Sequence, residues 1–204
     1  MAKIQEVDYK AIPAKAKNMR AEGKALNKEM TNAYKNVADM HNSWYGKRYN
    51  DLVQGFNKMI PDINEMLKLV VQDIPYALET VANNYSQADT GSKATSASNE
   101  AASKITNLST HNDVGMKFLT SNVEQLRSQI SKNFQNAKGQ MDKIETAFKQ
   151  IKWESEAASI FKQKFTSLKN KIASSFENIE SQFTKLMQQA QQDIEKAEKA
   201  NTLN

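Results

Sequence analysis

Cysteine is absent from this 204-residue chain, which removes disulfides, thiolate zinc sites and cysteine nucleophiles together. Histidine is nearly absent. Neither His41 nor His111 has a second histidine or a carboxylate three or four residues away, the spacing at which one helix face holds a metal. No Gly-x-Ser-x-Gly elbow, glycine-rich phosphate loop or Glu-x-x-His pattern occurs. Serines are plentiful but have no base beside them. No catalytic residue, metal ligand or cofactor is therefore assigned, and the chain is read as a non-enzyme. Long apolar runs are missing too. The longest, Met66 to Val71, is interrupted by Lys68 and is far short of a membrane span. The first residues, Met1 to Glu6, carry no apolar stretch of the signal-peptide kind. The expectation is a protein soluble and cytoplasmic when made, whose export would use a route that does not read such a signal.

Charge of one sign is also scarce. The net +5 divides into 12 basic against 11 acidic residues over 1–89, and 16 against 12 over 90–204. Signs alternate along the chain, the pattern of solvated helix faces. Lys162, Lys164, Lys169 and Lys171 form the densest basic run. It reads as a wet face opposite Phe161, Phe165, Leu168 and Ile172, with a surface for anionic lipid or nucleic acid as the alternative. The aromatics lie on the apolar stripe and do not interleave with the basic residues, so no nucleic-acid partner is expected.

Set against these absences is one long helical hairpin written twice. The two turns read Ser43-Trp44-Tyr45-Gly46 and Lys152-Trp153-Glu154-Ser155. After the tryptophan an offset of 109 aligns Leu52, Phe56, Met59 and Ile63 with Phe161, Phe165, Leu168 and Ile172. Before it an offset of 111 aligns Ile12, Met19, Leu26, Ala33 and Met40 with Val123, Ile130, Ala137, Ile144 and Ile151. Heptad phase held across so many positions, with one slip at the turn, reads as an internal duplication. The division expected is a first hairpin over 1–89, a Ser/Thr-rich linker over 90–113 and a second hairpin over 114–204.

The class is all-α, with no β-like alternation. Helix 1 should start near Ile12–Pro13, where a first-turn proline is tolerated, and run to about Met40. Ser43 can cap helix 2, which is expected from Tyr45 to Ala88 with kinks at Pro61 and Pro75, or a break into two helices at Pro61. The linker could hold a short helix over Glu100 to Leu108. Helices 3 and 4 are expected over Asn122–Ile151 and Glu156–Ala200. Two helices cannot cover both apolar stripes, whereas two hairpins packed face to face close a four-helix bundle. A single chain supplying both halves should be a monomer acting as a pseudo-dimer.

A tight reversal needs a small residue where backbones crowd, which Gly46 and Ser155 supply. Each indole can plug the open end of the core, its plain structural use. In the setting of two long amphipathic arms, the turns resemble those of the WXG superfamily of ESAT-like proteins, substrates of type VII secretion systems. Members are helical hairpins of about half this length, with Trp-x-Gly at the turn, that pair head to tail. The resemblance makes Trp44, Gly46, Trp153 and Ser155 the turn motif. It also implies an export tail of the form Tyr-x-x-x-Asp/Glu. Tyr85 to Asp89 fits that tail, and Ile194 to Glu198 keeps only the acid, Glu198. The implied function is a secreted, non-catalytic interaction protein whose partners are the type VII machinery and a co-secreted helical protein. A cytosolic adaptor or chaperone for another secreted protein, and a peripheral membrane-binding bundle, are the alternatives; membrane contact is not expected. Head-to-tail packing would need the linker to climb about 45 Å for a 30-residue helix. Residues 90–116 span about 85–90 Å at roughly 3.3 Å each, so they can do so.

Overall fold

The computed structural model describes residues 7–151, 153 and 155–201. The reading of Met1–Glu6, and residues 152 and 154 of the second turn, lie outside the described residues. Helix α1 runs from Ile12 to Asp39 with Pro13 in its first turn. A single 3₁₀ turn, Met40–Asn42, leads into the two-residue strand β1, Trp44–Tyr45. The return arm comes in pieces: α2 (Lys47–Asn57), α3 (Ile60–Lys68), a π-helical turn (Leu69–Asp73) and α4 (Ile74–Thr90). After an extended stretch come β2 (Lys117–Phe118), α5 (Thr120–Lys149) and α6 (Glu156–Asn201).

The apolar spacing decides which faces are buried. In α1 the buried positions Ile12, Ala16, Met19, Gly23, Leu26, Met30, Ala33 and Val37 fall alternately four and three apart. Phe134, Ala137, Met141, Ile144 and Phe148 do the same in α5, as do Phe165, Leu168 and Ile172 in α6. That 3.5-residue period keeps one seam facing its partners along the whole rod. The result is an all-α four-helix bundle of two hairpins, with one two-stranded ladder at its end.

The hairpins pack head to tail. Lys15 reaches Gln150, Lys143 reaches Glu22, and Asn133 donates to Glu29, so α1 and α5 run antiparallel. Along the other side Lys164 meets Glu65, Lys171 meets Asp62 and Arg48 meets Asp193, so α6 is antiparallel to α2 and α3. Within the second hairpin, Lys169 bridges Asp142 and Glu145, and the Phe134 and Phe176 rings stack.

Both prolines interrupt the return arm, as expected, but by different devices. At Pro61 the helix breaks, and Tyr34 of α1 donates its hydroxyl to the Phe56 carbonyl at 2.7 Å. Burial raises the Tyr34 pKa above its ordinary value, which keeps the hydroxyl a donor. Before Pro75 the chain widens into the π turn. Proline supplies no N–H to the carbonyl four residues earlier, and that carbonyl, Val71, accepts instead from Arg20 Nε at 3.1 Å. Gly23 sits against the same turn. A Cβ there would lie 2.8 Å from Val71 Cγ2 and 2.9 Å from Val70 Cγ2.

Two local expectations need correcting. Ser43 does not cap α2, whose N-cap is Gly46. The Ser43 carbonyl accepts from Leu119 N and its hydroxyl from Asn122, tying the first turn to the start of α5. Residues 100–108 form no helix. They belong to an extended strap that climbs the outside of the first hairpin, and its bonds to that hairpin compete with helical ones. Asn64 pairs with both N–H and C=O of Ile105, Asn57 with both of Leu108 and Asn50 with both of His111, at 2.7–3.0 Å. Lower down, Glu79 accepts from Ser98 N at 2.8 Å while Arg20 Nη2 donates to Ser98 O at 3.0 Å.

Candidate functional site

The two turns reverse the chain by different chemistry. At the first, Gly46 has φ +113 and ψ −172, a region open essentially to glycine alone. A Cβ there would have ordinary room, its nearest neighbours at 3.7 Å. Glycine is thus required by backbone angle, not by crowding. At the second turn Ser155 is a side-chain cap: its Oγ accepts from Ala158 N at 3.1 Å, and its carbonyl accepts from Ser159 N. That is the N-cap arrangement that satisfies an otherwise orphaned donor of the first helical turn. Serine there does not stand in for the glycine; it does another job.

Both tryptophans plug the core. Trp44 is 1 % exposed and its ring lies edge-on to Phe118 and stacked on Phe183, 5.3 and 5.9 Å between centroids. Its backbone pairs with Phe118, and Tyr45 pairs with Lys117. Trp153 is also buried and lies beside Phe161 within its own hairpin. With Tyr49 of α2 also edge-on to it, the first indole is gripped by α2, β2 and α6.

A notch opens beside the first turn, lined by Trp44, Gly46 and Arg48 from one hairpin and by Asp193 and Ile194 from the other. Arg48 Nε lies 3.1 Å from Asp193 Oδ2 across it. The acid facing this turn is Asp193, while Glu198 is exposed, just over one turn further along α6. At the opposite end Tyr85 is partly exposed on the last turns of α4. Asp89 accepts a short hydrogen bond from the Tyr9 hydroxyl, and that bond holds the Tyr9 pKa above its ordinary value. Lys15 Nζ bonds Gln150 near this end, three residues before Trp153. Tyr85, Asp89, Trp153 and Ser155 thus share one end of the bundle, and Trp44, Gly46, Ile194 and Glu198 share the other.

Some of the site was invisible in the sequence. His41 and His111 are 70 positions apart, yet their rings stack at 3.7 Å, and His41 Nε2 lies 2.8 Å from Asp113 Oδ2. Tyr49 packs beside both rings and donates to the Val37 carbonyl; burial pushes its pKa up to about 12. This cluster anchors the upper end of the strap. The heptad spacing of Asn50, Asn57 and Asn64 was a readable signal of the strap's track. Among the described residues no group of three or more His, Asp or Glu converges as a metal site. No helix among them is long and apolar enough to cross a membrane.

Compared with known families, residues 5–90 match the family model described as "WXG100: Proteins of 100 residues with WXG". The match ends at Thr90, the last residue of α4. No curated protein and no solved structure matches the chain.

Proposed function

We propose, from the match of residues 5–90 to the WXG100 family model, that the chain is a type VII secretion substrate carrying its own partner. The first hairpin, residues 1–89, is the WXG unit; residues 90–113 are the connecting strap; residues 114–204 occupy the place a second hairpin takes in a head-to-tail pair. The observation that carries this reading is the closure at the first turn. Trp44 stacks on Phe183, and Arg48 pairs with Asp193, so tail and turn meet across hairpins within one chain. Residues equivalent under the internal repeat support it, since Phe56 and Phe165, Met59 and Leu168, and Ile63 and Ile172 are all buried.

In this reading the protein is a non-catalytic interaction protein exported by that system. Its partner is the secretion machinery. An adaptor for other amphipathic helices is less well supported, because the apolar stripes of all four arms are already consumed in the bundle core. The export signal is placed at the end holding Tyr85, Asp89, Trp153 and Ser155, the one end with both an aromatic turn and a Tyr-x-x-x-Asp tail. The turn residues Trp44 and Gly46, with Glu198, form the structural end.

The test is export from the native host. The protein should accumulate in the medium and be retained when the secretion ATPase is deleted. Tyr85→Ala and Asp89→Ala should be retained although their helical circular dichroism is unchanged, and Glu198→Ala should be exported normally. Normal export of both tail variants, or retention of Glu198→Ala alone, would overturn the assignment of the signal. Export that persists without the ATPase would overturn the reading itself.

A further inference from the structure

The strap is held in an unusual way. Its regular anchor points, Ser98, Ile105, Leu108 and His111, are each gripped through both main-chain N–H and C=O. A carboxamide presents one donor and one acceptor side by side, and in an extended chain the N–H and C=O of one residue point the same way. One asparagine therefore reads one residue of backbone. The spacing of the ladder also fits. Asn50, Asn57 and Asn64 are seven residues apart, about 10.5 Å along a helix. The residues they hold are three apart, about 9 Å in an extended chain with three residues per turn, in which successive rungs face the same way. The two repeats stay in step over three rungs, and the break between α2 and α3 does not disturb them.

The strap's other ties are mostly polar: the His41–His111 stack and His41–Asp113 pair at the upper end, Asn83 on Thr95 N and Gln72 on Asn99. Ile105 is its one buried apolar side chain, with Ala102 and Leu108 partly covered. Both ends are hinged at glycines in the left-handed region, Gly91 with φ +74 and Gly115 with φ +99, and nothing lies within 4 Å of a Cβ at either. From α1, the buried Arg20 holds the Ser98 carbonyl, and Lys24 reaches Glu100 at the exposed edge.

We propose that this outer groove of the first hairpin is a binding site for an extended polypeptide, recognised by its main chain, and that residues 95–111 are a tethered occupant keeping it closed. The ligand it takes in trans is an extended segment with a free N–H at each rung and an aliphatic side chain at the Ile105 position. Side chains between the rungs are not read. The inference stands apart from the export reading, since it needs only the groove and the strap.

Two measurements test it. In the unmodified chain, amide hydrogen exchange should show Ile105, Leu108 and His111 protected, and Asn57→Leu should accelerate exchange at Leu108 at least tenfold. Exchange at all three as fast as in a free peptide would overturn the proposal. In the second, the full-length double variant Ile105→Pro/Leu108→Pro empties two rungs without touching the groove. A synthetic peptide of residues 93–113 should bind it at least tenfold more tightly than it binds the unmodified chain, whose own strap competes at high effective concentration. A peptide altered only between rungs should bind equally well, and adding Asn57→Leu to the variant should abolish binding. Equal binding to variant and unmodified chain, or binding indifferent to Asn57→Leu, would overturn it. If the proline variant loses helical circular dichroism, the exchange measurement decides alone.

Discussion

At the scale of single residues, the two turns differ in what they ask of the chain. Gly46 holds a backbone angle that a Cβ opposes, whatever space surrounds it. Gly46→Ala is expected to lower stability by about 1–3 kcal/mol, read as a lower denaturant midpoint at unchanged slope. Ser155→Ala should cost about 1 kcal/mol through loss of the cap, and Ser155→Gly only a few tenths. A glycine thus serves tolerably at the second turn, while a serine at the first does not. The sequence made both positions visible as small residues after a tryptophan. It could not tell angle from cap, because φ at one position and a three-residue hydrogen bond at the other leave the same trace in composition.

At the scale of elements, α1, α5 and α6 were legible because each is a long heptad stripe with no proline beyond its first turn. The return arm was legible only in outline. Proline marks where a helical bond is lost but not how the neighbourhood repairs it, and here the repair comes from α1. Arg20 serves the carbonyl that Pro75 leaves at the π turn, and Tyr34 adds a second donor to the Phe56 carbonyl at the break. Arg20 also pairs with the buried Glu79 at 2.9 Å, so a single side chain joins the bulge, α4 and the strap. Gly23 lets the bulge approach. Gly23→Ala would gain helix propensity, about 1 kcal/mol, but its methyl would meet two branched side chains below 3 Å. Overpacking of this kind costs typically 1–3 kcal/mol, and both valines are buried. The expected net is a loss of up to about 2 kcal/mol by chemical denaturation. The strap escaped notice for a related reason. Its Ser/Thr-rich composition resembles a flexible linker, and its order comes from asparagines 41 to 61 residues away.

At the scale of the whole molecule, charge pairs bind the second hairpin together and link it to the first. Glu145, hydrogen-bonded by Lys149 and Lys169, has its pKa lowered from 4.5 to about 2. The folded value lies below the unfolded one, so its stabilisation is complete above pH 4.5 and is lost as pH falls toward 2. Glu145→Gln should therefore be less stable than the parent at neutral pH, with the difference shrinking through that window and vanishing at its acid end. Urea melts at a series of pH values would show it. Exposure of the site keeps the effect small.

The same scale carries the central claim, that one chain folds as a head-to-tail pair of hairpins with its two tryptophan turns at opposite ends. Because the chain has no cysteine, spin labels can be placed uniquely at Lys47→Cys and Glu156→Cys, both exposed and each beside one turn. The labelled protein, diluted with unlabelled chain so that only intramolecular pairs contribute, is measured by pulsed electron double resonance. The 28 residues of α1 separate the two ends, so a distance distribution centred at roughly 40 Å is predicted. A single short distance, below about 20 Å, would place the turns side by side at one end and contradict the account.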